Sequence, residues 1–238
     1  SPYGELIRKF HVKIDFHKFI KVEGISAREF RREKGSFNGH SAIILTSRHA
    51  VDHFFRMAQE LRFEIPDSLK YFCISESTAY YLQKYVQYRK RKIFYGKQNF
   101  ADLMDVIKKH KDETFLVPSS DIHKQSMFQM LDKEKVDYTK AIIYRTVASD
   151  LSHLDIDKYD MMIFYSPAGI KSLQNNFPAY DQGEKLIAAF GKTTAKAVKD
   201  AGLKLNIPAP TKSAPSMSMA LEEYLTNLAR ENRKNGRR

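Results

Sequence analysis

Hydroxyl side chains stand where apolar runs of this chain give way to polar ones. Ser47 follows Ala42-Ile43-Ile44-Leu45-Thr46, Ser75 and Thr78 follow or flank the end of Phe72-Cys73-Ile74, and Ser119 follows Val117-Pro118. Ser166 closes Met161-Met162-Ile163-Phe164-Tyr165, and Thr193 and Thr194 come just after Ala188-Ala189-Phe190-Gly191. A strand that turns tightly into a helix presents unpaired backbone N–H groups at the positive end of the helix dipole. Such a turn seats carboxylates or phosphates, and a hydroxyl adds one more donor. In parallel sheets these turns gather at the carboxyl edge, where ligands bind. Each hydroxyl would serve equally well as a helix cap with no ligand, because Ser and Thr favour that position in any case.

The elements that must position these groups occur twice. The run from Ala42 and the run from Met161 each lead into an amphipathic segment, 119 positions apart, and Phe72 to Ala79 is echoed by Ala188 to Ala195 at an offset of 116. Each copy reads as buried strand, turn and helix, the unit of open parallel sheets. The pattern predicts an α/β fold of two similar lobes, each with a parallel sheet flanked by helices, joined by a two-stranded linker.

Along the chain, residues 3–10 read as a helix and Val12 to Val22 as a long strand, broken at Gly24-Ile25-Ser26. Ser26 and Glu29 have capping-box spacing for the next helix. Strands are expected near 41–46, 70–75, 92–95 and 114–118, then a long extended run from Tyr138 to Val147, then strands near 160–165, 185–190 and 203–207. Two long extended segments around a self-contained block suggest an inserted domain. The expected boundaries are 1–17 with 148–238 for the first domain, 18–26 and 140–147 for the linker, and 27–139 for the inserted domain. Met217, Ala220, Leu221, Tyr224, Leu225 and Leu228 share one face of a closing helix over 215–228, and residues 230–238 are expected to be a disordered basic tail.

The chain has 238 residues, enough for two small cores, and a formal charge of +12, with a pI near 9.5. A positive field raises the concentration of anions near clefts. Its single cysteine, Cys73, lies in an apolar run and excludes an intramolecular disulfide, which suits a reducing compartment. No apolar run approaches the roughly 18 residues of a membrane span. A cytoplasmic protein is expected.

Four motifs carry a family resemblance: Leu45-Thr46-Ser47-Arg48-His49-Ala50-Val51, Ile142-Ile143-Tyr144-Arg145-Thr146-Val147, Phe164-Tyr165-Ser166-Pro167-Ala168-Gly169, and Phe190-Gly191-Lys192-Thr193-Thr194-Ala195-Lys196-Ala197 followed by Gly202. In these motifs, in their order and in the opening stretch from Pro2 to Ile20, the chain resembles the uroporphyrinogen-III synthases. Two departures stand out. Ser75 occupies a turn where glycine is usual, and Pro118-Ser119-Ser120-Asp121 replaces a more glycine-rich turn.

The resemblance implies two α/β lobes on a two-stranded linker and an enzyme that cyclises hydroxymethylbilane, a linear tetrapyrrole with eight carboxylates, to uroporphyrinogen III. The reaction, a cyclising loss of water, inverts the last pyrrole ring. It implies no metal and no organic cofactor. The implied partner is that small polycarboxylate, with no nucleic acid and no membrane, and the chain is expected to be a monomer. Carried over motif by motif, the implied substrate contacts are Ser47, Arg48, Ser75, Thr78, Ser119, Ser166, Gly191, Thr193 and Thr194. Tyr144 matches the tyrosine taken as the acid in this family. A phenol is protonated at neutral pH and can donate without carrying charge, although an aromatic on a linker strand could equally be packing.

Two other classes remain open at this point: a bilobal anion- or tetrapyrrole-binding module without the reaction, and a nucleic-acid binder suggested by the charge. The run Tyr88-Arg89-Lys90-Arg91-Lys92 with Tyr85, Phe94 and Tyr95 could stack and neutralise a strand, but such a run is more often a solvated loop before a strand. His49 and His53 have the spacing of a helical metal pair without the glutamate of an HExxH site or a third ligand. Gly191-Lys192-Thr193 lacks the upstream glycine of a phosphate loop, since position 186 is leucine.

Overall fold

The computed structural model describes residues 1–97, 99–122 and 125–235, with side chains up to residue 231. The chain divides into two compact units, one of residues 1–21 with 147–238 and one of residues 22–146.

Helix α1 (Pro2–Phe10) starts on Ser1, whose side chain accepts the N–H of Gly4. The following residues, 11–19, form no strand. This corrects the expectation of a strand from Val12: the alternating apolar side chains are there, but alternation specifies faces and not a ladder partner. Phe19 packs into one core of this unit and Ile14 into another, while Phe16 is 74% exposed. Pairing begins only at β1 (Ile20–Gly24), on which the chain enters the other unit.

That unit holds α2 (Ala27–Arg32), β2 (Ala42–Leu45), α3 (Arg48–Leu61), β3 (Lys70–Cys73), α4 (Glu76–Leu82), β4 (Ile93–Tyr95), α5 (Phe100–Ile107), β5 (Phe115–Ser120), α6 (Gln125–Lys133) and β6 (Tyr138–Ala148). Its sheet runs β1-β6-β5-β2-β3-β4, in which the pairs β6–β5, β5–β2, β2–β3 and β3–β4 are parallel. One face is buried by Val51, Phe54 and Met57 of α3 with Phe30, Phe37 and Leu82, the other by Leu103, Ile107, Phe128 and Leu131. Because both faces are covered, β2 is an unbroken run of four buried apolar residues. Asparagine and serine caps start the helices: Ser26 accepts the N–H of Glu29, Ser47 that of Ala50, Ser75 that of Thr78, and Asn99 forms a full capping box with Asp102.

The first unit resumes with β7 (Met161–Phe164), α7 (Pro167–Asn176), β8 (Leu186–Phe190), α8 (Lys192–Asp200), β9 (Ile207–Ala209) and α9 (Met217–Asn235). The three strands are parallel in the order β7-β8-β9. Leu151, Leu173, Ile187 and Val198 bury one face; Leu6, Ile207, Met217 and Leu221 bury the other. The opening of α1 recurs at α7: Ser166-Pro167 precedes Gly169 as Ser1-Pro2 precedes Gly4, and each serine accepts that glycine's N–H, at 3.4 and 3.3 Å.

Two further expectations shift. The last strand lies at 207–209, not 203–207, because residues 202–206 are spent on a turn: Gly202 has φ +75°, Leu203 donates to the Val198 carbonyl, and the Asn206 side chain accepts the N–H of Ile187. The basic segment from Arg230 is helical to Asn235, since Arg, Glu and Lys propagate a helix as well as they solvate one. Residues 236–238 lie outside the described residues. Among the described residues no helix is long and apolar enough to cross a membrane.

Candidate functional site

The second unit gathers its candidate groups where β2, β3 and β5 end. Ser47 is half-buried at the head of α3, and Arg48 beside it is exposed. The Arg48 guanidinium lies 5.3 Å from the ring of Tyr81, whose hydroxyl donates to Asp52 at 2.8 Å; Asp52 also accepts from Tyr85 at 2.6 Å. Burial raises the Asp52 carboxyl, but the Tyr85 and Tyr81 hydrogen bonds and the Lys84 charge outweigh it and hold it below its usual range. The anionic Asp52 thus fixes the ring over which Arg48 sits.

At the next turn Ser75 bonds to the hydroxyls of Ser77 (3.0 Å) and Thr78 (3.2 Å). Its φ is −149°, ordinary extended backbone, so serine replaces the family's glycine there without strain. The contrast is Gly191, at the head of α8, with φ +89°, a conformation that favours glycine. No side chain caps α8, so its first N–H groups are left for another acceptor. Thr193 in that turn is exposed, whereas Thr194 is 1% exposed and faces inward.

Ser119 is not at a turn. Strand β5 continues through Ser120, and Ser119 is 4% exposed with its hydroxyl donating to the Val117 carbonyl at 3.1 Å. Pro118 is tolerated inside this strand because β2 pairs with β5 only at Phe115 and Leu116, so by position 118 the ladder is one-sided. The turn itself is made by Asp121, whose Oδ1 accepts from Ser120, Ile122 and Thr146 at 2.8, 2.9 and 3.0 Å.

Next to this turn the β5–β6 register slips. Ser119 faces Ile142 but Ser120 faces Tyr144, which leaves Ile143 as the extra residue of a β-bulge. Alternation is therefore broken, and Ile143 and Tyr144, consecutive in sequence, are buried in the same core. Tyr144 is 7% exposed. Burial raises its phenol pKa, and a hydrogen bond with the Ser47 side chain pulls the other way without cancelling the rise. Of the groups singled out in the sequence, Ser47 and Tyr144 are brought together directly. Sequence reasoning weighed His53 only as half of a metal pair and missed Arg56 behind it: His53 stacks on Tyr144 with ring centres 5.0 Å apart and planes 16° from parallel, and Arg56 donates to His53 Nδ1 at 3.1 Å. The spacing of those two along one helix face was the available signal. His49 and His53 gather no third ligand, and among the described residues no group of three His, Cys, Asp or Glu side chains could hold a metal ion.

In the first unit Ser166 caps α7 half-buried. A cavity of about 430 Å³ runs along β7, between Met161–Tyr165 and residues 13–19. Among its lining residues the Tyr3 and Tyr165 hydroxyls bond to each other, and His17, Tyr159 and Asp15 form a chain, with Tyr159 donating to Asp15 at 3.0 Å.

A family profile described as Uroporphyrinogen-III synthase HemD matches residues 3–218. The chain belongs to this family. The resemblance read from the four motifs is borne out, and with it an enzyme of heme biosynthesis whose substrate is a tetrapyrrole. Among solved structures, the uroporphyrinogen-III synthetase of Helicobacter pylori is similar over 90% of this chain and 95% of that one, at 18% identity and a TM-score of 0.54. It shares the fold, parallel sheets flanked by helices. A mutant uroporphyrinogen III synthase of Thermus thermophilus aligns over 96% and 94% at 12% identity, with a TM-score of 0.48, too loose to bear on the fold. No curated protein matches the chain in sequence.

Proposed function

We propose that this chain cyclises hydroxymethylbilane to uroporphyrinogen III with Tyr144 as the proton donor, a lyase reaction that uses no cofactor. The observation that carries the reading is the buried phenol of Tyr144 beside Ser47, in a chain of this family, on a strand whose bulge turns it onto the face of α3. Protonating the hydroxymethyl group lets it leave as water; the cation that remains is then attacked by the terminal ring through its substituted carbon. A raised phenol pKa suits the first step, because the group stays protonated at neutral pH.

The substrate's carboxylates would be taken by the helix heads at Ser47 and Arg48, Ser75 and Thr78, Ser166, and Gly191 with Thr193 and Thr194. The uncapped first turn of α8 is the best suited of these, since its N–H groups have no side-chain acceptor to displace. Ser119, buried and bonded to its own strand, is the least suited. Holding a flexible chain in a folded shape would supply more of the rate than the acid does. The test is to supply hydroxymethylbilane and follow the products by chromatography: the type III isomer should form ahead of the spontaneous type I. Binding without type III product would instead favour the tetrapyrrole-binding module.

A further inference from the structure

We propose that His53 is a positioning residue for Tyr144, with its ring held in one plane and one tautomer by Arg56. This rests on the reading of Tyr144 as the proton donor. Positions 53 and 56 fall on one face of α3, and the Arg56 fork is engaged on every nitrogen: Nε donates to His53 Nδ1, Nη2 to the carbonyls of Ile25 and Ile143 at 2.9 Å each, and Nη1 to Glu60 at 2.5 Å. A guanidinium keeps its protons, so Nδ1 must present its lone pair and the imidazole proton sits on Nε2.

Arg56 therefore reaches Tyr144 by two routes. One is the ring of His53, stacked on the phenol. The other is the carbonyl of Ile143, the bulge residue immediately before Tyr144, which also accepts the N–H of Ile25. Glu60, the partner of Nη1, accepts the N–H of Ala27 at the head of α2, so the arrangement is braced from a third element. A stacked ring of fixed plane restricts the phenol to one orientation, with its oxygen toward Ser47.

A double-mutant cycle on type III formation tests this. His53→Ala should lower kcat about tenfold with KM within about twofold, the cost of a misplaced donor. In a Tyr144→Phe background the same change should have no further effect on kcat. His53→Phe, which keeps a stacked ring, guards against a folding defect and should lose less, again only when Tyr144 is present. Equal factors in both backgrounds, or unchanged kcat in His53→Ala, would overturn the proposal. A readout independent of activity is the NMR signal of the Tyr144 ring, identified by its loss in Tyr144→Phe: removing the stacked imidazole should shift it downfield, and an unmoved signal overturns the positioning role even if the wild-type chain forms no type III isomer. That last result would sink the catalytic reading alone.

Discussion

Ser120 stands opposite Tyr144 across the β5–β6 ladder although Ser119 stands opposite Ile142. The skipped residue, Ile143, leaves its carbonyl to Arg56 and Ile25 and puts Tyr144 on the inner face. Bulges commonly re-aim a side chain beside a working site. Here the bulge delivers a phenol to the head of α3.

Tyr144→Phe should lower turnover by roughly tenfold or more, the lower part of the range for general acids because positioning remains. Stability should change by about 1 kcal/mol or less, since only the phenol oxygen is removed. Steady-state assays of the type III isomer, paired with a thermal melt, check both; unchanged turnover removes Tyr144 from the mechanism.

Gly191→Ala should cost about 1–2 kcal/mol, because φ +89° is strained for any residue with a Cβ. A Cβ there meets nothing within 4 Å, so the cost is conformational alone. Ser75→Gly, at φ −149°, should cost only a few tenths of a kcal/mol, as glycine is itself an acceptable cap. Urea denaturation of the two variants, compared with wild type, reads the difference.

His53 has its pKa lowered from 6.5, chiefly by burial, with Arg56 and His49 adding and Asp52 opposing. The unfolded chain therefore takes up this proton first. Stability from this group is complete above about pH 6.5 and is lost as pH falls through that value toward the lower native one. Urea midpoints measured from about pH 7.5 to about 5 should fall less in His53→Phe than in wild type. Parallel curves would show that His53 does not carry this loss.

Cys73 is fully buried and burial pushes its thiol up to about 12. A neutral, buried thiol is a poor nucleophile. Labelling by a thiol reagent at mildly alkaline pH should track global unfolding in urea, and rapid labelling of the folded chain would contradict this burial.

Much of the fold is written in local pattern. The apolar runs at 42–45, 70–73 and 161–164 announce buried strands, and Ser26, Ser47, Ser75 and Ser166 announce the helices after them, because capping and burial act within a few residues. Residues 12–19 misled for the same reason: their alternation has no partner strand to pair with. At 118–121 the end of an apolar run and the family pattern point to a turn, and only the one-sided ladder there explains a strand that runs through Pro118 to Ser120.

The site divides along the same line. Sequence by itself determined the family, the two-fold recurrence of strand, hydroxyl turn and helix, and the identity of Tyr144 and Ser47 as groups capable of the chemistry, since these depend on residue type and short spacing. Tertiary structure alone decided that Ile143 bulges, that Arg56 and His53 from α3 brace the phenol, and that Ser119 is spent on its own strand. Those outcomes turn on contacts between residues as much as about 90 positions apart, such as Arg56 with Ile143, and no local pattern encodes which distant carbonyl a guanidinium will find.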